Sequence, residues 1–278
     1  MAKLGLIAGD GNLPVLFAQA ATAQGIDLVV ITVTPEAASD ELNKIVDKSH
    51  QINVGQLKEI ITTLQNEEVD QVVMLGKVTK ELLFQGLKLD QEFKNLLSQL
   101  DEKNDDAIML AIVDRLAKAG IKVSDQTKFI AELFPQPGVL TEIKPQAEVL
   151  DDMKLGFRQA KEIGRLDIGQ TVVVKDGAVM AVEAIEGTDQ AILRGGQLGR
   201  GKVVVAKVSK PEQDQRFDIP TVGLETLENL IEVDAAGLII EARETFIVDQ
   251  EEFIKRAEEA GISIVAMTEE SAEKLEIN

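Results

Sequence analysis

Lys3-Leu-Gly-Leu-Ile-Ala-Gly-Asp-Gly-Asn-Leu-Pro-Val-Leu-Phe-Ala-Gln-Ala-Ala-Thr-Ala-Gln24 reads as a strand, a glycine turn and a helix, in that order. Lys3 to Ala8 is short and apolar, as a strand buried on both faces would be. From Leu13 to Gln24, Val15, Leu16 and Ala18 to Ala21 supply an apolar helix face, and Pro14 suits a first helical turn. The alternation continues. Leu28 to Val33 is a β-branched strand, Gln56 to Gln65 a helix and Gln71 to Leu75 a strand. Leu96 to Leu100 and Ala107 to Ala119 read as helices, the second closed by Gly120. Val123 to Asp125 reads as a short strand or turn before a helical Thr127 to Phe134. This order predicts an α/β domain with a Rossmann-like, mostly parallel sheet over residues 1–134.

Phe134-Pro-Gln-Pro-Gly138 interrupts the alternation, and residues 135–150 read as a linker or crossing segment. Beyond it, Asp151 to Ile163 is helical. Thr171 to Lys175 and Ala178 to Val182 flank Asp176-Gly177, a hairpin signal. Lys202 to Val208 reads as a strand, Leu224 to Val233 as a helix, and Gly237 to Ile240 and Thr245 to Val248 as strands. Gln250 to Ala260 is a helix ended by Gly261, and Ile262 to Met267 is a buried strand. The pattern predicts a second α/β domain over residues 151–278, its sheet mixed and more antiparallel.

Composition narrows the chemistry. The chain has 278 residues, enough for two domains, and carries 48 acids against 29 bases for a formal charge of −19. Such a balance argues against a nucleic-acid footprint and gives no attraction to an anionic membrane surface. Trp and Tyr are absent, so base stacking on aromatic platforms is not expected. Without cysteine there is no disulfide, thiolate metal site or cysteine nucleophile. The single histidine, His50, excludes an imidazole-built zinc site and is expected at the surface between a helix and a strand. A metal must then be held by oxygen, which favours Mg²⁺, Mn²⁺ or Ca²⁺. No leader pattern opens the chain and no run of ~18 apolar residues occurs, so a cytoplasmic protein is expected.

Several segments carry polar groups that a fold alone does not require. Gly9-Asp10-Gly11-Asn12 sits between strand and helix, where a phosphate meets a helix N-terminus, although Pro14 replaces the third glycine of G-x-G-x-x-G. A tight strand-to-helix turn explains it equally well. The second strand ends without an acid placed for a ribose, so a dinucleotide cofactor is not expected. Gly76-Lys77-Val-Thr-Lys80 follows another strand, and Lys77 there would meet phosphate or solvent. Asp105-Asp106 open a helix, where the dipole alone favours acids. Asp167-Ile-Gly169-Gln170-Thr171 enters a strand. Glu183-Ala-Ile-Glu186-Gly187-Thr188-Asp189 leaves one, with Thr188 and Asp189 placed to cap a helix and Arg194 close behind. In Lys210-Pro-Glu-Gln213-Asp214-Gln-Arg216-Phe-Asp218-Ile-Pro-Thr-Val-Gly223, two acids bracket an arginine between two prolines. Carboxylates suit a hard cation and the basic groups suit phosphate, which makes this the strongest candidate.

These segments together resemble the LpxI family, UDP-2,3-diacylglucosamine pyrophosphatases of lipid A biosynthesis. The likeness rests on the 3–14 turn, Asp105-Asp106, Ile163 to Gln170, Ala181 to Asp189 and the 210–223 loop. It implies hydrolysis of a lipid-linked UDP-sugar to UMP and 2,3-diacylglucosamine 1-phosphate by water attacking the β-phosphorus. It further implies a divalent metal, Mg²⁺ with Mn²⁺ as substitute, and a homodimer with access to the inner membrane surface. The family's essential acid falls on Asp218. Asp214 and Arg216 are its expected catalytic partners, and Glu183 and Asp189 are expected to complete the metal shell with the two loop acids. Gly9 to Asn12, Gly76, Lys77, Gly169, Gln170, Thr171, Gly187, Thr188, Arg194, Lys210 and Gln213 are expected against the substrate. Asp10 departs from the family pattern, which has glycine there. A metal-free lipid-phosphate or nucleotide sensor, or a nucleotide-sugar pyrophosphatase without acyl specificity, would use the same polar groups.

Overall fold

The structure, a computed structural model, describes residues 3–35, 37, 39–78, 89–100, 105–211 and 213–274. Thr79, Lys80, Glu212 and the side chains of Asp105 and Asp106 lie outside the described residues. The chain divides into two compact units, one of Met1–Ala131 with Gln215–Phe217, the other of Glu132–Asp214 with Asp218–Asn278.

The first unit alternates strand and helix: β1 (Lys3–Ala8), α1 (Leu13–Ala23), β2 (Asp27–Thr32), α2 (Ser39–Ile45), β3 (Lys48–Gln51), α3 (Leu57–Asn66) and β4 (Gln71–Leu75). It continues with α4 (Gln91–Ser98), α5 (Asp105–Lys118) and β5 (Lys122–Val123). The strands form a five-stranded parallel sheet in the order β3-β2-β1-β4-β5. Period-2 side-chain alternation sends Val29, Ile31, Val72 and Met74 into one core with Leu64 and Leu116. Leu28, Val30 and Val73 are buried on the opposite face. There Phe17 of α1 meets Phe129 edge-on, 5.4 Å between ring centres. Phe17 is fully buried, worth ~2 kcal/mol or more relative to exposure.

Some expectations shift. The helix read at Leu96–Leu100 begins earlier, because Asp90 accepts the Phe93 amide at 2.7 Å and caps α4. The helix read at Thr127–Phe134 is two 3₁₀ turns, Gln126–Phe129 and Ala131–Leu133. Asp125 caps the first turn through the Thr127 amide, and Pro135 disfavours helical geometry at the residue before it. His50 lies within β3, half-buried, its Nε2 3.3 Å from Glu67, so it is not a connector residue.

The second unit starts with β6 (Gly138–Val139) and α6 (Ala147–Arg165), which place a short strand and the first helical turn within the stretch read as linker. Next come β7 (Thr171–Lys175), β8 (Ala178–Val182), α7 (Thr188–Gly199), β9 (Val204–Lys207), β10 (Thr221–Val222) and α8 (Leu224–Glu232). The unit closes with β11 (Gly237–Glu241), β12 (Phe246–Ile247), α9 (Gln250–Glu259), β13 (Ser263–Met267) and α10 (Glu269–Lys274). Its six-stranded sheet runs β6-β13-β11-β9-β7-β8, parallel through β13, β11 and β9 and antiparallel at β6, β7 and β8. The β7–β8 turn has positive φ at both Asp176 and Gly177, the geometry that right-handed strand twist prefers. Asp152 of α6 accepts both turn amides at 2.8 Å, tying helix to hairpin. Val173, Val205 and Ile240 face α7, α8 and α9, whereas Val172, Ala206 and Ile239 face α6.

Candidate functional site

In the first unit, β2 and β3 lie on one side of β1, and β4 and β5 on the other. The winding therefore reverses between β1 and β4, and the crevice beyond their carboxyl ends is where open α/β sheets bind ligands. Both predicted loops meet there. Asp10 and Lys77 exchange backbone hydrogen bonds, each 2.9 Å, and the Gly9 amide donates to Leu75 at 2.8 Å. A Cβ on Gly9 would stand 2.6 Å from the Lys77 carbonyl oxygen, and one on Gly76 2.7 Å from the Gly9 carbonyl carbon. These glycines let the two loops touch. Gly11 is the open position: φ is +95° and a Cβ would meet nothing within 4 Å. Asp10 accepts the Thr34 hydroxyl, which directs its carboxylate toward the end of β2. Lys77 is exposed.

In the second unit the polar groups gather at one sheet edge. The carboxyl ends of β9, β11, β13 and β8 and the amino end of β7 lie there together, as their registers require. Glu183, buried just beyond β8, accepts the Thr188 hydroxyl at 3.0 Å and the Gln170 amide at 3.3 Å. Thr188 Oγ1 is 3.3 Å from Thr171 Oγ1. Gly169 packs so closely on the Glu183 backbone that no Cβ fits. From Gln170 the network continues to Gln213 at 3.5 Å. Gln213 Oε1 in turn accepts the Lys210 amide at 2.8 Å and the Ser209 hydroxyl at 3.0 Å. Lys210 pairs with Asp167 at 2.7 Å. Arg194 donates to the Val182 carbonyl at 2.9 Å and pairs with Glu186, fastening the turn between β8 and α7. Hydrogen bonding by its own backbone amide, then by Arg194, holds the Glu186 carboxyl below the usual carboxylate range.

The helix α7 begins differently from its expected form. Its N-cap is Gly187, with φ 83°, and no side chain caps it. Thr188 spends its hydroxyl on Glu183, and Asp189 sits in the first turn, favoured by the helix dipole.

The 210–223 loop starts with a turn closed by the Gln213 amide to the Lys210 carbonyl at 3.2 Å. A second turn is closed by the Asp218 amide to the Asp214 carbonyl at 2.9 Å, so the two acids stand one helical turn apart in the backbone. Gln215 to Phe217, with Arg216 between them, belong to the first unit; the Gln215 carbonyl accepts the Gln126 amide at 3.2 Å and Phe217 packs on that unit's core. Among the described residues no three Asp, Glu, His or Cys side chains converge on a metal-holding point. Asp214, Asp218, Glu183 and Asp189 are thus not gathered into one shell among the described residues, and Glu183 is engaged by Thr188 and Gln170. Asp214 and Asp218 alone still fit Mg²⁺, which takes one or two carboxylates and fills its sphere with water and substrate phosphate.

Two residues at this edge escaped the sequence reading. Glu241 ends β11 and Lys161 lies on α6, both buried, with Nζ 3.0 Å from each Glu241 oxygen. The signal was an acid closing the otherwise apolar Gly237-Leu-Ile-Ile strand.

The chain matches the LpxI N-terminal domain over residues 3–133 and the LpxI C-terminal domain over residues 136–265. A curated relative, UDP-2,3-diacylglucosamine pyrophosphatase LpxI of Caulobacter vibrioides, is 33% identical, over 96% of this chain and 98% of its own length. Among solved structures, a UDP-glucose-4-epimerase of Stenotrophomonas maltophila with bound NAD and formylated UDP-arabinopyranose is 12% identical. Its TM-score is 0.29, with 44% of this chain and 35% of that one covered. RibD of Acinetobacter baumannii is 15% identical with a TM-score of 0.29, covering 45% of this chain and 38% of that one. The chain spans little more than a third of these two structures, and the scores are too low to assign a shared fold. With both of its domains matched in order and a relative alike along nearly its whole length, the chain belongs to the LpxI family.

Proposed function

We propose that this chain hydrolyses the pyrophosphate bond of UDP-2,3-diacylglucosamine, giving UMP and 2,3-diacylglucosamine 1-phosphate in lipid A biosynthesis. The observation that carries the reading is the end-to-end identity to a UDP-2,3-diacylglucosamine pyrophosphatase. In the reaction, a water oxygen bonds to the β-phosphorus, the bond from that phosphorus to the bridging oxygen breaks, and UMP leaves with the electron pair. The proton lost by water goes to solvent. UMP is a good enough leaving group that no strong general acid is required.

The loop residues would divide the work. Asp218 orients the attacking water, Asp214 helps it, and Arg216 and Lys210 offset charge on the non-bridging oxygens. Mg²⁺ or Mn²⁺ held by Asp218 and Asp214 would supply Lewis-acid neutralisation of the pyrophosphate. Leu166, Ile168 and Ile185 are 70%, 47% and 86% exposed on loops at the polar edge of the second unit, which suits substrate drawn from the inner membrane surface. No described helix is long and apolar enough to cross a membrane. A homodimer belongs to the same reading.

Release of UMP from UDP-2,3-diacylglucosamine tests this. With Mg²⁺ the wild-type protein should turn over, chelator should stop it, and UDP-GlcNAc should be a poor substrate. Asp218→Ala should remain folded and lose about 100- to 1,000-fold in turnover. Full activity in that variant removes Asp218 from the mechanism, and no UMP from the wild type removes the function.

A further inference from the structure

The loop that carries Asp214 and Asp218 leaves β9 at Ser209, and Ser209 is gripped by a buried charge pair. Lys161 Nζ donates to both Glu241 oxygens and to the Ser209 carbonyl, each at 3.0 Å. Glu241 Oε2 accepts the Ser209 amide at 2.9 Å. Both backbone groups of one residue are therefore held by two opposite charges on two other elements, α6 and β11. Lys161 is 6% exposed and Glu241 5% exposed, so both charges are taken out of water. Strand alternation places Glu241 on the α6 face of the sheet, with Ile239 and apart from Val205 and Ile240 on the other, so it meets Lys161 of that helix.

A buried ion pair is a poor way to gain stability. Taking two charges out of water is costly, and well-packed apolar replacements are often neutral or stabilising. The geometry has a different use: it fixes one residue in three dimensions. Ser209 then passes the constraint on, because its hydroxyl and the Lys210 amide both meet Gln213 Oε1, at 3.0 and 2.8 Å. Gln213 precedes Asp214 directly.

We propose that Lys161 and Glu241 are positioning residues for the pyrophosphatase reaction: they clamp Ser209 and thereby set where the 210–218 loop places its phosphate- and metal-binding groups. This rests on the function proposed above. Neither residue touches substrate; they act through Ser209 and Gln213. Displacing a reacting group by about 1 Å can cost about 100-fold in rate. Loss of the clamp should therefore fall on kcat and leave KM, carried by more remote contacts, within a few-fold.

The discriminating variant is the apolar pair Lys161→Met with Glu241→Leu. It removes both charges together, so neither is left buried alone. It should stay folded, with a urea midpoint below the wild type because the buried Ser209 amide and carbonyl lose their partners, while kcat drops about 100-fold. Amide hydrogen exchange of the peptide spanning 209–218 should speed up against the wild type. Glu241→Gln, which keeps an acceptor for the Ser209 amide, should fall between the two in kcat. A stable double variant with wild-type kcat and unchanged exchange overturns the proposal. So does a double variant that unfolds, if Glu241→Gln folds with unchanged kcat and exchange. Wild-type protein that releases no UMP at all would remove the function instead, and the exchange comparison would still decide whether the clamp holds the loop.

Discussion

Glu244 follows β11 by three residues and its carboxyl is pushed up by burial, then by the charge of Glu241, with Lys161 opposing. An acid raised on folding binds more protons folded than unfolded. Its favourable contribution is full below the unfolded value and is lost as pH rises through the folded one. Ionised Glu244 therefore works against the fold at neutral pH. Glu244→Gln should melt higher than the wild type at neutral pH and match it below the ordinary carboxylate range. Equal melting temperatures at neutral pH would contradict the sign. The same scale shows how hydrogen bonding engages the acids expected in the site. Glu183 has the chemistry of a ligand, but a carboxylate beside a hydroxyl and a free amide takes those partners first. Asp10 likewise spends its charge on Thr34.

Helix α7 shows how an element is chosen by what it must approach. A Cβ on Gly195 would stand 2.6 Å from Val173 Cβ of β7, and one on Gly196 would collide with Val233 just beyond α8. The glycine pair costs helix propensity, about 1 kcal/mol for each residue relative to alanine. It lets α7 lie against sheet and helix at once. Gly196→Ala should destabilise by about 1–3 kcal/mol despite the propensity gain, because the clash is with a branched, fully placed side chain. Gly223→Ala should cost under about 1 kcal/mol, since its Cβ would meet nothing closer than 3.7 Å and only the N-cap preference is lost. Urea unfolding of the two variants checks the order. Elements with a strong period or turn signal, such as β1, β4 and the β7–β8 hairpin, were legible at this scale. Short ones such as β3, β6 and β10 were not, because two to four residues carry no period and exist only by pairing.

The whole molecule carries a formal charge of −19, so self-repulsion opposes its compact state. Raising salt from 0.01 M to 0.1 M shortens the Debye length from about 30 Å to about 10 Å and should raise the melting temperature. A fall would mean that surface ion pairs such as Lys48–Glu67 outweigh the repulsion. At this scale too, the loop of Asp214 and Asp218 has its ends in the second unit and Gln215–Phe217 in the first. Order and alternation of apolar runs were enough to determine two α/β units, since periodicity and chain order are properties of the sequence. Absence of cysteine and the lone histidine restricted a metal to oxygen ligands, since composition limits donors whatever the fold. Only tertiary structure decided that Gly9 and Gly76 serve each other, that Glu183 is committed to Thr188 and Gln170, and that Lys161 and Glu241 grip Ser209. Those outcomes depend on residues far apart in the chain competing for the same hydrogen bonds and space, and local pattern holds no record of that competition.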